Sequence, residues 1–459
     1  MALMPVDDAL RQLLTGVAPL GLETVPLARA NGRILAADLA ATRTQPPFPA
    51  SSMDGYALRA ADCAAAGAVL TVIGEAPAGH AFSGQVGAGE AVRIFTGAPV
   101  PDGADAILIQ ENATRDGDRL TALEPVRPGQ FIRPPGLDFA QGDVLLKAGL
   151  KLDYRSLALA AAMNHAALPV WRQPKVAIIA TGDELVLPGG SPGPDQIIAS
   201  NHCGIAALVE DCGGIPLDLG LASDDPADIA ARVREGLAAE ADILVTLGGA
   251  SVGDHDLVQA VLGGEGMKLD FWRIAMRPGK PLMAGNLGRT KVLGLPGNPV
   301  SSLVCALLFL RPLVAVMTGT SLEAAMTGKR TTATLTGPVP ANDQRQDYLR
   351  ASLTTHPDGT RSVTPFTRQD SSMLSLLAAS GALILRPRMR RRWMQARRWM
   401  CWWCEGHKEF QGGGQTEATA YQHTRRRPGL RAGAYSLVES CYSPPQRSMD
   451  GLMRPPLLP

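Results

Sequence analysis

The spacing of apolar residues changes several times along the chain and divides it into segments of different predicted structure. From Lys175 onward, short apolar runs such as VAIIAT and DILVTL alternate with amphipathic stretches such as SNHCGIAALVEDCGG. The runs have the length of buried strands, and the stretches have the apolar spacing of helices. Strands that alternate with helices are typical of a parallel, doubly wound sheet, and we assign this α/β domain to residues 174–327.

The residues before this domain follow a different pattern. The first 43 residues begin as an amphipathic helix and then become extended, and helical spacing returns in residues 147–173. Between these segments, residues 44–146 contain short apolar runs bounded by turns rich in Gly and Pro, which indicate β structure. The sequence therefore predicts an α/β multidomain protein whose helical and extended N-terminal domain (1–43 and 147–173) carries a β-rich insert (44–146).

The last part of the chain divides at Arg388. Residues 328–387 contain short alternating stretches such as RTTATLTGPV and DYLRASL, which predict a small C-terminal β domain. Residues 388–459 hold 13 Lys and Arg against 5 Asp and Glu, and four of the six tryptophans, without a sustained strand or helix period. We expect this basic tail to be disordered or the product of a frameshift; a nucleic-acid-binding tail is the alternative interpretation.

Composition narrows the class of protein. A chain of 459 residues is long enough for two to four domains, and its seven cysteines are scattered and odd in number, as in reduced cytoplasmic proteins. Cys401 and Cys404 form a C-x-x-C pair, but no second pair completes a metal site. The longest apolar run, Leu303–Met317, is interrupted by Arg311-Pro312, and the first residues do not resemble a secretory signal. We therefore expect a cytoplasmic protein without a membrane span.

Ligands of open parallel sheets bind at the carboxyl ends of the strands, so the loops that follow predicted strands are the candidate site. Two such loops are rich in glycine, which lets backbone amides approach an anion closely, and Ser251 adds a hydroxyl donor. Asn298 is expected to cap the helix that begins at Pro299, leaving free amides to face an anion. The candidate anion-binding residues are Gly248, Gly249, Ser251, Gly253, Pro296, Gly297 and Asn298.

Charged side chains follow the same strands. Glu184, Asp256 and the pair Asp224-Asp225 could converge on a hard cation such as Mg²⁺, although acids at helix starts and on surfaces are the ordinary alternative. Arg277 and Lys280 flank a stiff prolyl turn, RPGKP, which suits fixed recognition of an oxyanion. Charge and geometry together favour an anionic ligand.

Seven strings resemble the molybdopterin molybdenumtransferase family, which comprises the bacterial MoeA proteins and the related E domain of gephyrin. They lie in the family's order and cover about residues 5–387; they are PPFPASSMDGYAL, IFTGAPVPDGADAI, IRPPGLDFAQGDVLL, VAIIATGDEL, LGGASVGDHD, MRPGKPL and GLPGNPVSS. The resemblance implies a four-domain subunit in an elongated homodimer, with the insert of one subunit facing a sheet domain across the interface. It also implies an enzyme that takes adenylylated molybdopterin and molybdate, uses Mg²⁺, and releases AMP.

Roles transfer by matching position. The resemblance makes Asp54 and Thr96 active residues of the insert, and Arg277 and Lys280 the holders of molybdate or phosphate, with Arg133 a further candidate. It makes Ser371 a contact of the terminal domain, with Ser372 an equal contender. The implied acids of the cleft are Asp138, Glu184, Asp225 or its neighbour Asp224, and Asp256, and the implied Mg²⁺ ligands are Glu184, Asp225 and Asp256.

Two departures from the family are visible. Arg277 stands where many relatives carry Lys, and the chain from Arg388 does not resemble the family's continuation. We therefore expect an incomplete terminal domain with an open sheet edge.

Other functions stay open on the sequence. The molybdopterin adenylyltransferase of the preceding step shares the sheet domain but not the insert, and a non-catalytic scaffold would use the same fold for peptide binding. The expected partners are a second copy of the chain and, in the pathway, the adenylyltransferase and molybdoenzyme maturation proteins. We expect no binding to nucleic acid or membranes.

Overall fold

The computed structural model describes residues 3–249, 257–328 and 330–389, together with the backbone of 398–403. The first segment contains α1 (Val6–Leu14), β1 (Leu22–Pro26), a 3₁₀ turn (Leu27–Arg29) and β2 (Leu39–Ala40). The insert follows with β3 (Ala50–Ser51), β4 (Gly55–Leu58), β5 (Val69–Ala76), β6 (Glu90–Ile94), β7 (Ala106–Ile109), β8 (Ala113–Asp116), β9 (Arg119–Ala122) and β10 (Ile132–Arg133). Two further 3₁₀ turns are Ala60–Cys63 and Gln110–Asn112.

The chain returns to the N-terminal domain through β11 (Val144–Leu146), α2 (Tyr154–Ala162) and β12 (Ala167–Trp171). β2 pairs with β11 and β1 pairs with β12, both antiparallel, so the two segments on either side of the insert form one unit. α2 begins at a capping box, in which Asp153 and Ser156 satisfy each other's backbone amides. In the insert, six strands form a sheet of order β7-β4-β6-β5-β9-β8, and β3 pairs with β10.

Helix α1 differs from the expected domain assignment. Its apolar face, which includes Leu10 and Leu13, belongs to the core of the α/β domain and not to that of the N-terminal domain. The Ala275 amide donates to the Met4 carbonyl at 2.7 Å and holds the start of the chain against the α/β domain. The amphipathic stripe of α1 is therefore buried by the α/β domain, and the assignment of 1–43 to the N-terminal domain stays a prediction.

The α/β domain is a mixed sheet covered by helices. Its sheet has the order β16-β13-β17-β21-β20-β18; the first four strands run parallel, and β20 and β18 are antiparallel to their neighbours. The elements are β13 (Lys175–Thr181), β14 (Leu185–Val186), β15 (Ile197–Ile198), α3 (Asn201–Asp211), β16 (Ile215–Ala222), α4 (Pro226–Ala238), β17 (Ile243–Leu247), α5 (Leu257–Gly264), β18 (Lys268–Trp272), β19 (Met276–Arg277), β20 (Met283–Leu287), β21 (Thr290–Leu295), α6 (Pro299–Cys305), α7 (Arg311–Met317) and α8 (Leu322–Thr327). The predicted doubly wound architecture is confirmed, with an antiparallel edge that the sequence pattern did not predict.

One long helix spans the predicted break in the apolar run. α6 continues through a π-helical turn, Ala306–Leu310, into α7, so the helix runs on past Arg311-Pro312. The π turn offers a reason, because its wider winding accommodates a residue without an amide hydrogen. Within the described residues, the helix Pro299–Met317 is the one long and apolar enough to cross a membrane, and 78% of that stretch is buried inside the protein.

The terminal domain closes on itself. It contains β22 (Arg330–Leu335), β23 (Gln346–Thr355), β24 (Arg361–Pro365), α9 (Leu374–Ala378), β25 (Ala382–Arg386) and β26 (Arg398–Trp403). Following the pairings from β23 through β24, β22, β26 and β25 leads back to β23, so five strands form a barrel. The expectations of an open edge and of no strand after Arg388 are wrong, because β26 supplies backbone partners to both β22 and β25.

Candidate active site

A cleft of about 1010 Å³ lies at the carboxyl ends of β13, β17 and β21. Its lining combines loop glycines, acids, helix-start residues and one residue of the terminal domain. The lining residues include Thr181, Gly182, Glu184, Asn201, His202, Asp224, Gly248, Gly249, Pro281, Pro296, Gly297, Asn298 and Ser372. This is the position that the topology of an open parallel sheet favours for ligands.

Glycines shape the floor of this cleft. Gly248 has φ +102° and Gly249 has φ +65°, conformations that other residues rarely adopt. A Cβ on Gly248 would lie 2.7 Å from the Thr181 carbonyl oxygen, and one on Gly249 would overlap Val258. A Cβ on Gly297 would lie 3.7 Å from the Gly248 Cα, so the loops after β17 and β21 meet backbone to backbone. Ser251 and Gly253, predicted in the same loop, lie outside the described residues.

The start of α6 differs from the prediction. Asn298 occupies the N-cap position, but its side chain makes no capping hydrogen bond, and it lines the cleft instead. The first amide of the helix, on Val300, donates to the Ser371 carbonyl at 3.1 Å. The Asn201 side chain donates to the Gly297 carbonyl at 2.7 Å and ties the starts of α3 and α6 together. Asn298 therefore stands at the predicted N-cap position, while its side chain is a polar group of the cleft.

The acids of the cleft are Glu184 and Asp224. Asp225 is instead the N-cap of α4, and its carboxylate accepts from the Ala227 amide at 3.0 Å. Of the two alternatives left open by the sequence, Asp224 lines the cleft, and the carboxylate of Asp225 is engaged by the helix start. The Asp224 amide donates to the Asp183 side chain at 3.0 Å, which fixes this loop beside the Glu184 turn. Asp256 lies outside the described residues.

Among the described residues, no group of three or more His, Cys, Asp or Glu side chains is arranged to hold a metal ion. Glu184 and Asp224 nevertheless line one cleft. Mg²⁺ is commonly held by one or two carboxylates together with phosphate oxygens of a substrate and water. The donor set of the cleft therefore fits Mg²⁺ bound together with a phosphorylated substrate.

The prolyl turn reaches the cleft through Pro281. Lys280 directly precedes Pro281 and has a half-buried side chain, but it is not among the lining residues. Arg277 is not among the lining residues; its guanidinium donates to both carboxylate oxygens of Asp347 at 3.0 and 3.1 Å. Sequence analysis did not single out Asp347, since an acid within an alternating strand gives no sign of its burial or its partner.

Asp54 and Thr96 of the insert contact each other, and neither is among the residues that line the cleft. The Asp54 carboxylate accepts from both the amide and the hydroxyl of Thr96, and these bonds lower the pKa of Asp54. Asp138 is exposed, and its amide donates to the Gln45 carbonyl at 3.0 Å. Arg133 is exposed on β10, where it pairs with Ala50 of β3.

The terminal domain reaches the cleft through Ser372, while Ser371 is absent from the lining. The Ser372 hydroxyl donates to the Asp370 carboxylate at 2.6 Å, and this bond lowers the pKa of Asp370. Thr181 and His202 are among the cleft residues that were not predicted; both are buried, and the Thr181 hydroxyl has no hydrogen-bond partner in the structure. A threonine that ends a buried strand is common, so its sequence gave little signal.

Comparison with known proteins agrees with this architecture. Residues 4–164 match the model of the MoeA N-terminal region (domain I and II), 177–316 match a "probable molybdopterin binding domain", and 332–393 match the MoeA C-terminal region (domain IV). The last match ends at residue 393, whereas the sequence from Arg388 onward was expected not to resemble the family. The fold and these regions define a multidomain protein built around a molybdopterin-binding α/β domain.

Individual relatives cover most of the chain. The molybdopterin molybdenumtransferase of Nostoc sp. is 38% identical over 304 residues, which are 65% of this chain and 70% of the relative. The enzyme of the same name from Haemophilus influenzae is 38% identical over 319 residues, 69% of this chain and 78% of the relative. A crystal structure of the molybdopterin biosynthesis MoeA protein from Pyrococcus horikoshii superposes with a TM-score of 0.75 at 29% identity, covering 88% of this chain and all of that one. The chain belongs to the molybdopterin molybdenumtransferase (MoeA) family.

Proposed function

We propose that this chain inserts molybdenum into adenylylated molybdopterin and releases AMP, in the biosynthesis of the molybdenum cofactor. The observation that carries the proposal is the cleft at the carboxyl ends of the sheet, where glycine loops, two carboxylates, Asn298 and Pro281 of the prolyl turn line one space. Family membership and the names of the relatives support the same reaction.

The substrates explain the residue types. Molybdate and the pyrophosphate link are both anionic, while residues 1–387 carry 31 Lys and Arg against 38 Asp and Glu. Local donors must therefore overcome an unfavourable average field. Backbone amides of the glycine loops and the Asn298 amide group line the cleft and would bind and orient these anions, with Lys280, the residue before Pro281, as a further candidate.

Glu184 and Asp224 are the residues that would hold Mg²⁺, with Asp256 as a further candidate. When bound, Mg²⁺ would neutralise the pyrophosphate and polarise the phosphorus at which the bond to AMP breaks. The two carboxylates follow neighbouring strands of the sheet, so rigid elements set their separation. The described residues require no covalent nucleophile for this chemistry.

We further propose that the enzyme works as a cytoplasmic homodimer. Asp54 and Thr96 do not line the cleft of their own chain, so a second subunit would bring its insert to the cleft. Exposed apolar side chains on the N-terminal domain, namely Val144, Leu145, Leu150 and Tyr154, offer a surface for this contact.

The direct test is turnover by the purified chain. Adenylylated molybdopterin, molybdate and Mg²⁺ are supplied, and AMP release and molybdenum incorporation are followed together. We expect AMP release that requires both molybdate and Mg²⁺. A folded protein that releases no AMP, or releases it equally without molybdate, would show that the proposed reaction is wrong.

A further inference from the structure

A second cavity, of about 230 Å³, lies between the N-terminal domain and the α/β domain. The first residues of α3 and α6 line the active cleft, whereas Cys212 at the end of α3 and Arg311 at the start of α7 line this cavity. Helix α3 has 11 residues, so it spans roughly 16 Å. The cavity is therefore a separate space, at the far ends of helices whose starts form part of the cleft.

Three cationic side chains from separate segments line this cavity. Arg33 and Lys151 belong to the N-terminal domain, and Arg311 belongs to α7. Among the described lining residues, Asp211 is the one acid. Residues 1–387 as a whole carry 31 Lys and Arg against 38 Asp and Glu, so the positive excess in the cavity is local.

Backbone hydrogen bonds hold the two cations of the N-terminal domain together. The Leu152 amide donates to the Arg33 carbonyl at 2.8 Å, and Ile34 pairs with Lys151 in an antiparallel bridge. The Arg33 guanidinium donates through Nη2 to the Glu23 carboxylate and to the Trp171 carbonyl. Glu23 offsets the charge of Arg33, but a guanidinium has five N–H donors, so Nε and Nη1 keep donors for a further acceptor.

The thiol of Cys212 reports that cations of both domains lie near one point. Burial raises the pKa of this thiol to about 11, and the positive charges of Arg311 and Lys151 both act against that rise. The thiol is therefore neutral at pH 7. It does not serve these two cations as a counterion.

Contacts across the domain junction fix the walls of the cavity. The Gln173 side chain donates to the Gly213 carbonyl at 2.9 Å and ties the chain after β12 to the end of α3. A Cβ on Gly319 would overlap the Trp171 ring, so the turn after α7 packs directly on the last residue of β12. The cations are therefore held around a space with rigid sides.

We propose that this cavity binds a small anion of the phosphate class, held between Lys151 of the N-terminal domain and Arg311 of the α/β domain. Free phosphate and the phosphate group of a small metabolite present the same chemistry. The cavity is smaller than the roughly 300–1,000 Å³ of sites for larger organic ligands, which favours such a small anion over a nucleotide. The bound anion bridges the two domains and stabilises their junction. This site is independent of the proposed function, because binding is measured without turnover.

The test is calorimetric titration of the purified chain with sodium phosphate at constant ionic strength. Lys151→Gln should raise the Kd for phosphate about fivefold and Arg311→Gln about tenfold, since each removes a charged donor. Added sodium chloride should weaken binding, because it screens these charges. Glycerol phosphate replaces phosphate in a parallel titration; the tighter binder of the two identifies the source as a metabolite or the free ion.

Two variants with the same change of charge are the controls. Lys147 pairs with Asp38 on the N-terminal domain, and Arg232 pairs with Asp228 on α4; neither cation lines the cavity. Lys147→Gln and Arg232→Gln should therefore keep the wild-type Kd. If Arg311→Gln does not fold, Lys151→Gln decides, because Lys151 is exposed and its replacement leaves the core intact.

Hydrogen exchange locates the bound anion. Phosphate should slow the exchange of amides in residues 212–214 and 318–320 of the wild type, and should do so less in Lys151→Gln. Absence of phosphate binding to the wild type, or a wild-type Kd in Lys151→Gln, would overturn the proposal. Slower exchange in residues 248–249 without a change beside the cavity would also overturn it, because the anion would then occupy the cleft.

Discussion

The carboxylate of Asp54 accepts two hydrogen bonds from Thr96, one from the backbone amide and one from the hydroxyl, each at 2.7 Å. Both residues were predicted as active groups of the insert from their resemblance to family motifs, and they lie 42 residues apart in the chain. Hydrogen bonds to the ionised carboxylate lower its pKa, and Thr96 supplies the two largest contributions. At neutral pH Asp54 is therefore an ionised carboxylate, which accepts hydrogen bonds and has no proton to donate.

Thr96→Val should raise the pKa of Asp54 toward its ordinary value while leaving it lowered by the backbone amide. A lowered folded-state pKa stabilises the protein above the unfolded pKa, and this contribution is lost as pH falls through the folded pKa. The valine variant should lose it at a higher pH. Carbon-13 NMR titration of the Asp54 carboxyl measures the change, Thr96→Ser serves as the control, and an unaltered pKa in the valine variant would contradict the prediction.

Substitution of the two adjacent acids should separate their roles. Asp224→Asn and Glu184→Gln should raise the Mg²⁺ concentration that AMP release requires, because both residues line the cleft. Neither change should lower the free energy of unfolding. Asp225→Ala should instead lower the free energy of unfolding by about 1 kcal/mol, as loss of a helix N-cap does. Mg²⁺ titration of turnover and urea denaturation give the two readouts. If Asp225→Ala needs much more Mg²⁺ for turnover while Asp224→Asn needs as much as the wild type, the assignment would be reversed.

Gly248→Ala should destabilise the protein at the loop that follows β17. Its φ of +102° is unfavourable for alanine, and the new Cβ would lie 2.7 Å from the Thr181 carbonyl oxygen. We expect a loss of roughly 2 kcal/mol in the free energy of unfolding, measured by urea denaturation. Gly263→Ala is the matched control, because Gly263 lies in α5 with open space around its Cβ position. That control should be neutral or slightly stabilising, and equal losses at both sites would argue against the described loop.

Removal of β26 should open the terminal barrel. A chain that stops after residue 397 loses the partner of β22 and β25, whereas a chain that stops after Trp403 keeps it. Hydrogen exchange should be faster for amides of β22 and β25 in the shorter chain only, and that chain should aggregate more readily. Identical exchange in the two truncated chains would show that β26 does not close the barrel in solution.

The proposed homodimer makes a prediction for the exposed apolar strip of the N-terminal domain. Leu145→Asp combined with Tyr154→Asp should shift the protein toward monomer, because charges would replace apolar side chains at the contact. Leu322→Asp, at an exposed apolar residue of α8, is the control and should leave the mass unchanged. Light scattering over a concentration series measures the result, and an intact dimer in the double variant would exclude this strip as the interface.

Local patterns predicted the α/β domain well. Strand β13 and helix α3 follow from a buried apolar run and from helical spacing, and the cleft follows from the rule that ligands bind at strand ends. Family strings added Asp54 and Thr96, which the structure places in direct contact.

The features that the sequence could not predict depend on long-range partners. Asp224 and Asp225 are adjacent and chemically identical, and only the start of α4 decides which one caps the helix. The burial of Asp347 depends on β19 and β25, which approach it from 70 residues earlier and 39 residues later in the chain. The sequence of β26, RWMCWW, does not alternate between apolar and polar residues, so no strand was predicted there.

The insert leaves and rejoins the N-terminal domain through neighbouring strands, where Ala40 of β2 is in register with Val144 of β11. A turn of a few residues could therefore bridge these positions without displacing either strand. A host protein can accept or lose such a module with little change to its own core. The same junction makes the insert a practical unit for exchange between relatives, with its surface varied and its attachment kept.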